Sequence, residues 1–102
     1  MDIIYTSQNE ETTVKLSGEV DHHGAKSARE TIDGIIRDES PQTLIMDMSS
    51  VTFCDSSGLG LIMGRYKKMN EIGGSLLIKK PTEAVEKIIR ISGLDRLIKI
   101  VD

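Results

Sequence analysis

The run Cys54-Asp55-Ser56-Ser57-Gly58-Leu59-Gly60 combines a carboxylate and two hydroxyls where the chain changes its hydrophobic period. Upstream, Leu44-Ile45-Met46-Asp47-Met48 and Val51-Thr52-Phe53 are apolar and strand-forming. Downstream, Leu59, Ile62, Met63, Tyr66 and Met69 recur at the three-to-four spacing of a helix. Ser56 and Ser57 therefore belong at or beside a helix N-cap. A hydroxyl there accepts from backbone N–H groups that lack a partner within the helix, and the same donors with the helix dipole favour an added phosphate. The chemistry this suits is phosphorylation of a serine, which adds about −1.5 to −2 charges at pH 7. Such a charge at a helix N-terminus need not unfold the domain, so its effect falls on whatever docks there. Ser57 reads as the structural cap. Asp55 reads either as a capping carboxylate or as a group that orients the hydroxyl or helps hold the metal of a kinase's nucleotide.

Other chemistries lack their parts. A catalytic Ser56 or Cys54 needs a placed base, and neither a nucleophile-elbow spacing nor a positioned histidine accompanies them, so no catalytic residue is assigned. His22 and His23 are adjacent, point in different directions and have no further histidine or paired cysteine to complete a ligand set, so no metal is expected. Gly58-x-Gly60-x-x-x-Gly64 misses the dinucleotide fingerprint by one residue and no phosphate loop occurs, so no cofactor is expected either. Gly60 and Gly64, four apart, are expected to let the helix backbone approach the sheet closely. Arg65, Lys67 and Lys68 read as a solvated helix face, Cys54 as core, and Met46, Met48, Met63 and Met69 as core filling.

Several elements must position the serines. Ile3-Ile4-Tyr5 and Thr12 to Leu16 are expected to form an antiparallel hairpin across the turn Ser7-Gln8-Asn9-Glu10. Gly18 to Asp21 breaks that pattern. From Gly24 onward, Ala25, Ala28, Ile32, Ile35 and Ile36 mark one face of a helix that ends before Pro41. Thr43 to Met48 is a strand, and the helix of about Ser57 to Asn70 is closed by Gly73-Gly74. Ser75 to Lys79 is a strand. Thr82 caps a third helix with Val85, Ile88 and Ile89 inward, which Ser92-Gly93 stops. Leu94-Asp95-Arg96 is a short turn before a last strand, Leu97 to Val101. Strands alternating with helices imply right-handed crossovers and a largely parallel sheet of the α/β class. Both Glu19 to Gly24 and Cys54 to Gly58 are then loops beyond strand C-termini and share one surface.

A chain of 102 residues suits one domain that acts through a surface. Thirteen basic and sixteen acidic residues give a net charge of −3, with the bases dispersed, so nucleic-acid binding is not expected. No apolar run reaches membrane-spanning length and Met1-Asp2-Ile3-Ile4-Tyr5 lacks the form of a signal peptide. The single Cys54 fits a reducing compartment, and the expected location is the cytoplasm.

The Asp-Ser-Ser-Gly-Leu-Gly run, with Gly18-Glu19-Val20-Asp21-His22-His23 and Gly64-Arg65-Tyr66-Lys67-Lys68, resembles the anti-sigma factor antagonists of the STAS domain family. The likeness extends from the first strand to Ser92-Gly93-Leu94. It is nearest to the sporulation type, which acts on the anti-sigma factor of sigma-F. The resemblance implies a single STAS domain over 1–102, with a mixed, mostly parallel sheet packed with helices, and no enzyme activity. It implies Ser56, directly after the aspartate, as the phosphorylated residue, with Ser57 as second choice. It implies partner contacts at Glu19, Asp21, His22, Gly24, Asp55, Ser56, Ser57 and Gly58. The implied partners are an anti-sigma factor with serine kinase activity, its bound ADP or ATP indirectly, and a serine phosphatase. An antagonist for a stress-response sigma factor, or a stand-alone STAS domain sensing a nucleotide or lipid, are the alternatives.

Overall fold

Alternation along Thr12-Thr13-Val14-Lys15-Leu16 sends every second side chain to one face, and the computed structural model, which describes residues 1–102, buries Thr12, Val14 and Leu16. These residues belong to β2 (Glu11–Val20), which pairs antiparallel with β1 (Asp2–Gln8). The turn is shorter than expected. Ser7 and Gln8 stay in the strand opposite Thr12 and Glu11, leaving only Asn9 and Glu10, both at positive φ, 52° and 67°. Such two-residue turns match the twist of the hairpin they join.

The chain continues through α1 (His22–Glu39), β3 (Thr43–Cys54), α2 (Ser56–Glu71), β4 (Ser75–Lys79), α3 (Glu83–Ser92), a short 3-10 turn (Leu94–Arg96) and β5 (Lys99–Val101). Strand order is β1-β2-β3-β4-β5, with β2 to β5 mutually parallel. Right-handed crossovers between neighbours, all stepping in one direction, put the three helices on the same face. Burial agrees. Leu44, Met46, Met48, Leu76 and Ile78 are buried, whereas the alternating Ile45, Asp47, Leu77 and Lys79 are partly exposed. On that open face Lys15, Asp47 and Lys79 are register partners across three strands. Burial raises the Asp47 pKa, but the amide and hydroxyl of Ser49, at 3.0 and 2.7 Å, and both lysines outweigh it and hold the carboxyl below its usual range.

All five residues expected on the apolar face of α1 are buried, Ser40 ends that helix in the left-handed conformation, and Thr82 caps α3 by accepting from Val85 N–H. Gly93 closes α3 at φ 84°, where glycine carries no Cβ penalty. Four further details differ from expectation. The β2 strand runs through Gly18 to Val20, because β3 offers backbone partners as far as Cys54; Gly18 at φ 109° and two register shifts absorb the irregularity. The α1 helix begins at His22, two residues early. β5 is three residues long, and Leu97 lies outside it, 53 % exposed. The buried stripe of α2 is Gly58, Leu61, Ile62, Arg65 and Met69, while Leu59, Met63 and Tyr66 pack only partly against the core. No helix is long and apolar enough to cross a membrane.

Candidate functional site

The C-terminal ends of β2 and β3 lie side by side. Val20 is the register partner of Cys54, and Asp55 N–H donates to the Val20 carbonyl at 3.4 Å. Each strand is followed by an aspartate with extended backbone that caps the next helix. Asp21 Oδ1 accepts from Gly24 N–H at 2.8 Å; Asp55 Oδ1 accepts from Ser57 N–H at 2.8 Å and from Gly58 N–H at 3.4 Å. The two regions singled out from sequence are thus adjacent, but neither is mainly loop. Glu19 is in β2, exposed, while His22 to Gly24 and Ser56 to Gly58 are first turns of helices. The Gly24 amide is the chief cause that holds the Asp21 carboxyl below its ordinary range, with help from the nearby His23.

Asp55, not Ser57, is the cap of α2. Both residue types can cap, and the strand ends one position earlier than a serine cap requires. The consequence for chemistry is direct. The Ser57 and Gly58 amides, expected to favour a phosphate, are already held by the Asp55 carboxylate. Ser56 itself is exposed at the first position of α2, and Ser57 is half-buried.

Two glycines let these turns form. A Cβ on Gly24 would lie 2.7 Å from the Glu19 carbonyl oxygen, and one on Gly58 would lie 2.3 Å from Cys54 Sγ and 3.1 Å from Val20 Cγ1. Gly58 is buried and so supports the surface from beneath. Cys54, 2 % exposed, is core as expected; burial, and then the neighbouring Asp55 charge, push its thiol up to about 11. Gly60 and Gly64 correct the sequence reading, since nothing lies within 4 Å of a Cβ placed on either. They face a groove between α1 and α2, not the sheet.

Arg65 corrects it too. It is 5 % exposed, its Nε 2.8 Å from Asp33 Oδ1 of α1, and Nη1 reaches the Leu61 carbonyl at 3.5 Å. The Nε and Oδ1 contact is a close ion pair off the straight hydrogen-bond line. The His22 and His23 rings meet edge to face, with centroids 5.7 Å apart, where the sequence suggested they point apart. Sequence reading also missed Phe53, 48 % exposed on the strand end beside Glu19, two residues before Asp55. Its signal was the alternation that sends Cys54 inward and its neighbour out. No group of three or more His, Cys, Asp or Glu side chains converges as a metal-ligand set.

Comparison with known proteins places this geometry. The STAS domain model matches residues 3–102. An anti-sigma F factor antagonist of Paenibacillus polymyxa is 36 % identical over 89 residues, covering 87 % of this chain and 76 % of that protein. An anti-sigma-B factor antagonist of Bacillus subtilis is 32 % identical over 94 residues, covering 91 % and 84 %. Among solved structures, the anti-sigma factor antagonist SpoIIAA in its unphosphorylated form superposes with a TM-score of 0.83 at 27 % identity, over 99 % of this chain and 89 % of that one. The phosphorylated form of SpoIIAA, a Bacillus cell fate determinant, gives 0.75 at 26 % identity, over 99 % and 92 %.

Proposed function

The chain belongs to the STAS domain family, and from that premise we propose that this anti-sigma factor antagonist is a switch thrown at Ser56. Unphosphorylated, it captures an anti-sigma factor that is also a serine kinase, and the sigma factor goes free. Phosphorylated by that partner on Ser56, it lets go until a serine phosphatase restores it. The chain supplies the substrate hydroxyl and no catalytic group.

The observation that carries this reading is the exposed Ser56 hydroxyl at the first position of α2, beside a carboxylate that already occupies the helix amides. The phosphate cannot fold back onto those donors without displacing Asp55. It adds charge and bulk to a surface with Asp21 and Asp55 at its centre, and a partner docked there is repelled. Glu19 and His22 stand exposed around that centre, and Phe53 supplies the apolar contact that such interfaces favour. Relatives named for sigma-F at 36 % identity and for sigma-B at 32 % bear on the choice of sigma factor. The Glu19-Val20-Asp21-His22-His23 and Gly64-Arg65-Tyr66-Lys67 runs favour sigma-F, and sigma-B remains the second reading.

Titration calorimetry against the anti-sigma factor tests the switch. Ser56→Ala is expected to bind as wild type does, and Ser56→Asp at least tenfold more weakly. Equal affinity of Ser56→Asp and wild type contradicts the mechanism. Transcription reconstituted with sigma-F or sigma-B and its own anti-sigma factor separates the two readings of the partner.

A further inference from the structure

The groove between α1 and α2, about 660 Å³, is walled on one side by Lys26 and Arg29 and floored on the other by Gly60 and Gly64. One end is Ser57, next to the proposed phosphorylation site; the other is Arg65. We propose that this groove receives an acidic helical segment of the anti-sigma partner, which rests on the function proposed above and extends the contact surface away from Ser56.

Charge is the first support. Neither Lys26 nor Arg29 belongs to any of the molecule's ion pairs, although the chain as a whole carries −3. Glu30, four residues from Lys26 on α1, forms no ion pair with it and does not line the groove, and Asp33, four residues from Arg29, is committed to Arg65 at 2.8 Å and Lys68 at 3.8 Å. Arg29 and Arg65 are close enough to oppose one another's charge. An excess of positive charge thus lines the groove of an acidic protein, and the complementary occupant is an anion.

The floor says what kind of anion. Glycine inside a helix is destabilising relative to alanine, and at Gly60 and Gly64 no internal contact requires it. The missing side chains leave two turns of α2 backbone open to close approach from outside. From Ser57 to Arg65 the groove runs about 12 Å at 1.5 Å per residue, longer than a single phosphate and suited to about two turns of a partner helix. A helix that lies over glycines four apart while its carboxylates meet Lys26 and Arg29 satisfies both walls.

Two variants that leave Ser56 intact test this against the anti-sigma factor by calorimetry, with circular dichroism melts to establish folding. Lys26→Glu with Arg29→Glu is expected to lower affinity at least tenfold, less so at high salt, where exposed charges are screened. Gly64→Leu, whose Cβ would meet nothing within 4 Å, is expected to lower it at least fivefold at any salt. If both variants fold and bind as wild type does while Ser56→Asp still releases the partner, the groove is not the docking site and the switch stands. If wild type itself does not bind the anti-sigma factor, both fall. Competition by millimolar inorganic phosphate, with Gly64→Leu binding normally, makes the groove a small-anion site and overturns the helix assignment.

Discussion

At the start of α1, Asp21 holds the amide of Gly24; at the start of α2, Asp55 holds those of Ser57 and Gly58. Both follow the end of a parallel strand, and both read Asp-x-x-Gly, with a glycine whose Cβ would strike the preceding strand. Between aspartate and glycine the first carries His22-His23 and the second Ser56-Ser57. The comparison separates scaffold from chemistry. Aspartate and glycine solve the same folding problem twice, that of turning a buried strand directly into a helix. Only the residues between them differ, and only the second pair carries hydroxyls. Asp55 therefore needs no catalytic role to explain its presence.

Changes to the shared scaffold should hurt both turns, and the largest loss is expected at Gly58. Gly58→Ala drives a methyl into Cys54 Sγ and is expected to cost about 1–3 kcal/mol, as overpacking does. In a domain of this size that lowers the melting temperature by roughly 4–8 °C for each kcal/mol. Adding Cys54→Ala should recover part of the loss, and no recovery would mean that the clash is not with the thiol. Gly24→Ala is expected to cost about 1–2 kcal/mol by the same mechanism, against a carbonyl that cannot rotate aside. Removing the second cap, Asp55→Ala, should cost about 1 kcal/mol in chemical denaturation. It also frees the amide of Ser57, while Gly58 N–H keeps the Asp55 backbone carbonyl at 3.0 Å, so phosphorylation of this variant should disturb partner binding less than in wild type.

Off the scaffold the sign reverses. Gly60→Ala, with nothing near its Cβ, should raise stability by about 0.5–1 kcal/mol, and a loss would mean that Gly60 packs after all. The smallest effect is a pH dependence at the first turn. The folded-state pKa of Asp21 is depressed, so its contribution is present above the unfolded value and is lost as pH falls through the folded one. The stability gap between wild type and Asp21→Asn should hold from pH 7 to pH 5 and close below about pH 4. A gap unchanged at pH 3 would show that the carboxylate charge contributes nothing.

Much of the fold was legible because local pattern and tertiary need agree. Ala25, Ala28, Ile32, Ile35 and Ile36 keep the helical period and all five are buried; Thr82 and Gly93 bound α3 where capping chemistry puts them. What sequence did not convey depends on distant partners. The β2 strand passes Gly18 because β3 pairs with it, and Arg65 is buried because Asp33, on another helix, neutralises it. Gly60 and Gly64 have the spacing of packing glycines, but their face is set by how α2 rolls against α1. At the site, the motif and the adjacency of its two halves were readable. The choice of Asp55 over Ser57 as cap was not, since it turns on where β3 ends.

The central claim, that Ser56 is the switch, is tested most directly by intact mass and peptide mapping after incubation with the anti-sigma factor and magnesium-ATP. Wild type, Ser56→Ala and Ser57→Ala are compared. One added phosphate on wild type and on Ser57→Ala, and none on Ser56→Ala, is the predicted result. A phosphate on Ser56→Ala that is lost from Ser57→Ala, or no transfer to either serine by a kinase active on another substrate, would contradict it.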